Sequence, residues 1–172
     1  MAQGSILNGK AILAVDDEPD VLTVLKEEIL SAAPKCIIDT AISYEKADEL
    51  LASYTYNLAI LDIMGVRGFD LLQQAAVRPP PVPVVMLTAH AFSPEYLRKA
   101  VELGARAYLP KEQLRALVPF LEDVLTYEYG VAWRRMLKKL EGLFKDEWGP
   151  YWRKPDEAFW KGFEEKITAE EK

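Results

Sequence analysis

Short apolar runs alternate with amphipathic stretches along the first 119 residues of the chain. The runs have the length and composition of buried strands and end at polar or turn residues. The intervals between them place apolar residues three or four positions apart, which predicts helices. The predicted strands are Ala11–Val15, Cys36–Ile38, Leu58–Leu61, Val82–Leu87 and Ala105–Leu109.

Helix start and stop signals lie in the intervals between these runs. Pro19 stands near a first helical position, and Ser43 and Ser93 are good N-cap residues. Gly104 follows the last apolar position of one predicted helix, where a helix commonly ends. Five strands alternating with helices predict an α/β fold with a five-stranded, doubly wound parallel sheet covered on both faces.

The last third of the chain has a different composition. Residues 120–172 hold eleven of the eighteen aromatic residues, including all four tryptophans. We therefore predict a boundary between Pro119 and Gly130, with a first domain over residues 1–128 and a helical extension over residues 129–172. Apolar residues recur at helical spacing in this extension and form one stripe. The stripe includes Trp133, Met136, Leu140 and Phe144.

The overall composition is that of a folded protein. Half of the residues are hydrophobic, 28% are charged, and the net charge is -6, which argues against a long-range attraction to nucleic acid or anionic lipid. Cys36 is the single cysteine, which excludes an intrachain disulfide and a cysteine-based zinc cluster. No apolar run has the ~18–20 residues of a membrane span, and the N-terminus lacks a secretory signal pattern. We expect a reduced, soluble, cytoplasmic protein.

Polar side chains with a clear chemistry follow four of the predicted strands. Asp16 and Asp17 follow the first strand, Asp62 the third, Thr88 lies at the end of the fourth, and Lys111 follows the fifth. The carboxyl ends of parallel strands lie at one edge of a sheet, where ligands bind in open α/β folds. The sequence therefore predicts one cluster with three carboxylates, a hydroxyl and an ammonium group.

Three carboxylates so close together repel one another unless a cation lies among them. Mg²⁺ fits this site because it prefers oxygen ligands and is often bound by one or two carboxylates together with a phosphate oxygen. One carboxylate can then act as a nucleophile toward a phosphoryl donor. Lys111 and Thr88 offer a charge and a hydroxyl group that can bind the transferred phosphoryl group.

The chain resembles the receiver domain of response regulators over about residues 9–128. The motifs that carry the resemblance are Asp16–Asp17, Leu61–Asp62–Ile63–Met64, Thr88–Ala89 and the segment Gly104–Lys111. Each motif is weak alone, but their order and their positions at strand ends make the set specific. The resemblance implies a flavodoxin-like sheet with strand order 2-1-3-4-5 and a role in a two-component phosphorelay.

The resemblance also implies individual roles around a bound Mg²⁺ ion. Asp62 is expected to accept a phosphoryl group from a sensor histidine kinase or a phosphotransfer protein. Asp17 is expected to ligate Mg²⁺ directly, Asp16 through water, and Met64 through its backbone carbonyl, with Asp62 completing the protein ligands. No other enzymatic activity is expected, because the extension lacks a recognisable catalytic constellation.

Thr88 and Lys111 are expected to bind the phosphoryl group, and Tyr108 corresponds to the aromatic switch position of the family. The loop after Asp62 departs from the family pattern. The loop is about two residues shorter than in most receivers. It lacks the proline that usually follows the methionine and carries Gly65 directly after Met64.

Three interpretations of the extension stay open. Its apolar stripe can dock on the receiver, form a surface for an output protein or a second copy of the chain, or belong to a small DNA-binding unit of a transcriptional regulator. DNA binding is disfavoured because residues 120–172 hold ten positive and twelve negative side chains and no clear helix-turn-helix pattern. We predict a surface for an output protein or a second copy of the chain, formed by Trp133, Met136, Leu140 and Phe144. A receiver that no kinase addresses, acting as a scaffold, is a further alternative.

Overall fold

A computed structural model describes residues 4–169 of the chain. Its centre is a parallel sheet of five strands in the order β2-β1-β3-β4-β5. The fold class and the strand order predicted from the sequence are therefore confirmed. The strands are β1 Ala11–Val15, β2 Ile37–Ala41, β3 Leu58–Leu61, β4 Val84–Thr88 and β5 Ala107–Pro110.

Helices cover both faces of the sheet and continue beyond it. The first five are α1 Pro19–Ala32, α2 Tyr44–Ser53, α3 Gly68–Ala76, α4 Pro94–Glu102 and α5 Leu117–Thr126. The extension contains α6 Tyr129–Trp148 and α7 Glu157–Ala169, and short 3₁₀ segments occupy Lys111–Ala116 and Lys154–Asp156. None of the helices in the described part of the chain is both long and apolar enough to cross a membrane.

The helix starts follow from local hydrogen bonds. The Ser43 hydroxyl accepts a hydrogen bond from the backbone N–H of Lys46, and Ser93 caps α4 in the same way. Proline occupies the first turn of α1 and of α4, where its missing N–H costs nothing. Both serines act as the N-caps that the sequence predicted.

Strand β2 is longer than its apolar run predicted. It continues through Asp39 and Thr40 to Ala41, because an edge strand pairs on one side only and tolerates polar residues. The start of β5 also differs, since the strand begins at Ala107 and not at Ala105.

Strand register brings the polar strand ends together. Val15 of β1 lies beside Leu61 of β3, so the residues that follow, Asp16 and Asp62, are neighbours. The backbone N–H of Asp62 continues this pairing with a 3.0 Å hydrogen bond to the Val15 carbonyl. On the other side of the sheet, Thr88 pairs with Pro110, which places Lys111 at the same edge.

The extension packs on the open edge of β5 and on α5. The indole N–H of Trp133 donates a 3.0 Å hydrogen bond to the backbone carbonyl of Ala105, and the backbone N–H of Tyr108 donates one to the Met136 sulfur at 3.4 Å. Helix α7 packs in turn on α6. The buried residues of the extension and of the sheet therefore form one continuous core.

This packing corrects the prediction that the apolar stripe is an interaction surface. All four predicted surface residues are almost completely buried within the chain, with exposed fractions of 0% for Trp133 and Phe144 and 2% for Met136 and Leu140. The stripe is buried because it packs against the outer edge of β5, which is the last strand of the sheet. Helical spacing identified the buried face of α6 but not the surface that it packs against.

Candidate functional site

Three aspartates lie together at the carboxyl ends of β1 and β3. The carboxylate oxygens of Asp16, Asp17 and Asp62 lie within 4.8 Å of one another. Asp16 and Asp62 are almost fully buried, whereas Asp17 is exposed. The structure thus brings together the three carboxylates that the sequence singled out, in a cluster that is open to solvent on the Asp17 side.

Lys111, which directly follows β5, contacts this carboxylate cluster. Its ammonium nitrogen lies 2.9 Å from Oδ2 of Asp16 and 3.4 Å from Oδ2 of Asp62. It also lies 3.2 Å from Oε1 of Glu18, a partner that sequence reasoning missed. Its side chain is only 12% exposed, so these ion pairs are weakly screened by water. The prediction that Lys111 lies beside the acidic residues agrees with this geometry.

The burial and close spacing of these charged groups shift their pKa values. Burial and the negative charge of Asp16 raise the pKa of Asp62 to about 6, although Lys111 opposes the shift. Burial also raises the pKa of Asp16, against hydrogen bonds from Lys111 and from the backbone N–H of Glu18. Burial by itself lowers the pKa of Lys111, but its bond to Asp16 and the nearby carboxylates outweigh this and raise it.

The donor set fits a divalent cation. It consists of carboxylate oxygens only, at a spacing that allows them to share one ion, and a cation there would offset the repulsion that raises the pKa of Asp62. Hard oxygen ligands with an open, hydrated side are those that Mg²⁺ prefers. Asp16, Asp17 and Asp62 therefore form a candidate metal site.

The short loop after β3 contains two glycines at positions where a side chain would clash with the site. Gly65 has φ +85°, and a Cβ atom there would lie 2.3 Å from Oδ2 of Asp17. At Gly68 a Cβ atom would lie 2.0 Å from the backbone oxygen of Asp62. Both positions need glycine because the loop runs directly against the site. The same close approach places the backbone around Met64 next to Asp17, while the Met64 residue is 48% exposed.

Thr88 is fully buried at the end of β4. Its hydroxyl accepts a 3.1 Å hydrogen bond from the backbone N–H of Ala91 in the following loop. Thr88 and Lys111 line a cavity of about 180 Å³ beside the carboxylate cluster. The other lining residues are Ala89, Phe92, Pro110, Glu112 and Glu147. Glu147 belongs to the extension, and sequence reasoning did not connect it with the site.

Tyr108 lies on β5, beside the strand that ends at Thr88, and is fully buried. Its hydroxyl donates a hydrogen bond to the carbonyl of Ala91 and accepts one from the N–H of Ser93 at 2.9 Å. Burial raises the pKa of this hydroxyl, and the ring stacks on Phe92 with centroids 5.6 Å apart. Ala91 therefore connects Thr88 with Tyr108 through hydrogen bonds.

The structure combines a parallel sheet of this order with three acidic residues and a lysine at the carboxyl ends of its strands. The family described as response regulator receiver domain matches residues 12–120, which is more than half of the chain. The chain belongs to the response regulator receiver family. The family resemblance stated from the sequence motifs is thereby confirmed.

Several curated relatives are named as transcriptional regulators or sensory transduction proteins. The chain is 32% identical over 105 residues to the DNA-binding transcriptional regulator NtrC of Salmonella typhimurium, a match over 58% of this chain and 21% of that protein. It is 36% identical over 101 residues to the sensory transduction protein LytR of Staphylococcus haemolyticus, over 58% of this chain and 38% of that protein. The chain thus spans only a fifth to two fifths of the length of these relatives.

Solved structures show the same fold. A response regulator receiver protein from Burkholderia phymatum matches with a TM-score of 0.59 and 26% identity, over 69% of this chain and 97% of the other. A response regulator from Thermotoga maritima matches with a TM-score of 0.61 and 18% identity, over 69% and 98% of the two chains. The family match ends at residue 120, so the extension lies outside it.

Proposed function

We propose that this receiver accepts a phosphoryl group on Asp62 in a Mg²⁺-dependent reaction and signals through protein contacts. The observation that carries the proposal is the Asp62 carboxylate, which is buried within a cluster of three aspartates and lies 3.4 Å from the Lys111 ammonium. Membership of the receiver family supports the reaction type.

The proposed donor is a phosphorylated imidazole of a sensor histidine kinase or a phosphotransfer protein. A carboxylate oxygen of Asp62 attacks the phosphorus atom, and a new P–O bond forms as the P–N bond breaks. The electron pair of the broken bond stays on the imidazole nitrogen, which takes up a proton. The products are an aspartyl phosphate and a neutral imidazole.

The residues around Asp62 have separate roles in this proposal. Asp17, Asp16 through water, Asp62 and the backbone carbonyl of Met64 would hold Mg²⁺, which supplies charge neutralisation for the transferring group when bound. The Lys111 ammonium would bind one phosphoryl oxygen, and the Thr88 hydroxyl would donate to another. Tyr108 would report the state of Thr88, because both contact Ala91.

The output is proposed to be protein contacts and not DNA binding. The acidic balance of the extension supports this, and its aromatic stripe is already used in packing against the sheet. An output partner or a second copy would therefore contact residues other than the four buried stripe residues. We place this signalling in the cytoplasm, where sensor kinases meet their receivers.

Incubation of the full chain with acetyl phosphate and Mg²⁺, followed by intact-mass spectrometry, tests the proposed function. We expect one phosphoryl group on the wild type and on the control Asp48→Ala, which removes an exposed carboxylate outside the site. We expect none on Asp62→Ala. Unmodified wild-type protein would favour the scaffold alternative, and a salt-sensitive complex with duplex DNA would favour the transcriptional regulator.

A further inference from the structure

The extension reaches the proposed phosphorylation site through the last turn of α6. Glu147 lies in that turn and lines the cavity of about 180 Å³ whose other walls include Thr88 and Lys111. Both of these residues belong to the proposed phosphoryl-binding set. The extension therefore brings a carboxylate to a cavity that the receiver alone would leave open on this side.

Aromatic packing fixes the position of this turn. The ring of Trp148 lies 4.6 Å from that of Phe92, which follows Thr88 in the β4–α4 loop and also lines the cavity. Phe144, one turn earlier in α6, is fully buried and lies 5.8 Å from the same Phe92 ring. Glu147 thus stands between two anchored positions and stays near the cavity as long as α6 is docked.

Helix stability does not explain a glutamate at this position. The carboxyl end of a helix carries a partial negative charge, so an acidic residue in the last turn is unfavourable there. Within residues 4–169, Glu147 makes no hydrogen bond or ion pair that offsets this cost. Its carboxylate is exposed and is available to act on charges in the cavity.

The charge of Glu147 must oppose a phosphoryl group at Asp62. A phosphorylated side chain carries about -1.5 to -2 charge, and Lys111, which lines the cavity together with Glu147, lies 3.4 Å from Oδ2 of Asp62. Lys111 compensates only partly, because it is already paired with Asp16, Glu18 and Asp62.

We propose that Glu147 is an electrostatic gate through which the docked extension restrains phosphorylation of Asp62. This inference rests on the proposed function of Asp62. Coupling between two sites is reciprocal, so phosphorylation must in turn weaken the docking of the last turn of α6. The docking of the extension then responds to the phosphorylation state of Asp62, in addition to burying the outer edge of β5.

The test measures the full chain with two ligands of opposite charge. Initial rates of phosphorylation are measured against acetyl phosphate concentration at saturating Mg²⁺, and Mg²⁺ affinity is measured separately by calorimetry. The variants are Glu147→Gln and Glu147→Lys. The matched controls are Asp146→Asn and Asp146→Lys, which make the same charge changes at the adjacent exposed residue that does not line the cavity.

We expect Glu147→Gln to lower the half-saturating donor concentration about two- to fivefold, the size typical of an exposed charge interaction. Glu147→Lys should lower it further. Mg²⁺ affinity should change in the opposite direction and weaken, since a lost negative charge disfavours a cation. Both differences should shrink between about 0.1 M and about 1 M salt, where the screening length falls from about 10 Å to about 3 Å. A purely structural role would weaken both ligands and would not depend on salt.

Each other outcome overturns a defined part of the inference. Equal donor dependence in wild type and Glu147 variants overturns the gate and leaves the proposed function intact. Equal shifts in the Asp146 variants also overturn it, because they assign the effect to overall charge. Absence of phosphorylation in the wild type overturns the proposed function and the gate together.

Discussion

The indole nitrogen of Trp133 donates a hydrogen bond, at 3.0 Å, to the backbone carbonyl of Ala105. Both residues are fully buried, and the bond joins the extension to the chain just before β5. An edge strand presents unpaired backbone groups, and here α6 bonds the backbone N–H of Tyr108 in β5 and the Ala105 carbonyl just before it. Residues 129–169 therefore share one continuous buried core with the receiver.

Removal of this hydrogen bond should destabilise the protein. Trp133→Phe keeps an aromatic ring but leaves the buried carbonyl of Ala105 without its indole donor, which costs about 1–3 kcal/mol. The matched control is Trp160→Phe, since Nε1 of Trp160 is buried without a hydrogen-bond partner within the described chain. The control should lose less stability than Trp133→Phe, because it loses ring volume but no hydrogen bond. Urea unfolding of both variants measures the difference, and equal losses would contradict the role assigned to the Trp133 bond.

Removal of the whole extension should have a larger effect. A chain that ends at Glu128 exposes Tyr108, Phe92 and the edge of β5, which the extension buries or contacts in the full protein. We expect a lower unfolding midpoint and self-association detectable by light scattering, because an exposed apolar edge promotes pairing between chains. A truncated chain that stays monomeric and as stable as the full chain would instead support two independent domains, 1–128 and 129–172.

Asp62 should make stability depend on pH when Mg²⁺ is absent. Its pKa is about 6 in the folded state against 3.8 for an ordinary aspartate, so the folded state binds this proton more tightly than the unfolded state. The free energy of unfolding therefore falls as the pH rises from about 4 to about 6, through this group, and the loss persists at higher pH.

Asp62→Asn removes the buried charge and should remove this contribution. At pH 7.5 the variant should be more stable than the wild type by about 1–3 kcal/mol, and this difference should be smaller at pH 4.5. Asp48→Asn, an exposed change of the same charge, serves as the control. Denaturant unfolding at the two pH values measures the effect. A wild type that is more stable at pH 7.5 than its Asp62→Asn variant would show that the buried charge of Asp62 does not destabilise the folded state.

Gly65 should be essential for metal binding. A methyl group at this position would overlap the Asp17 carboxylate, so Gly65→Ala must displace either Asp17 or the loop. We expect the variant to lose most of the thermal stabilisation that Mg²⁺ gives the wild type. Gly142→Ala, in an open position on α6, is the control and should keep the Mg²⁺ response and gain stability. Equal Mg²⁺ responses in all three proteins would place the metal away from Asp17.

The sequence predicted those parts of the fold and the site that depend on local pattern. Apolar runs located the five strands, and parallel topology then gathered Asp16, Asp62 and Lys111 at one edge. Strand ends were less predictable, as β2 shows, because pairing on one side and not residue type decides where an edge strand stops.

Contacts between distant segments were not predictable in the same way. The stripe on α6 indicated a buried face, yet nothing in its spacing identified the edge of β5 as the surface it covers. Glu147 lies 36 positions beyond Lys111 in the sequence, and only the docking of α6 makes it a neighbour of Thr88 and Lys111. Glycine in the short loop was visible in the sequence, but the close approach of Gly65 to Asp17 required coordinates.

Chemical mapping tests most directly whether Asp62 carries the phosphoryl group. The full chain is treated with acetyl phosphate and Mg²⁺, reduced with borohydride, which converts an aspartyl phosphate to homoserine, and then digested for peptide mass analysis. We predict homoserine at position 62 and unchanged aspartate at positions 16 and 17. Homoserine at another position, or none in wild-type protein that binds Mg²⁺, would contradict the assignment of Asp62 as the phosphoacceptor.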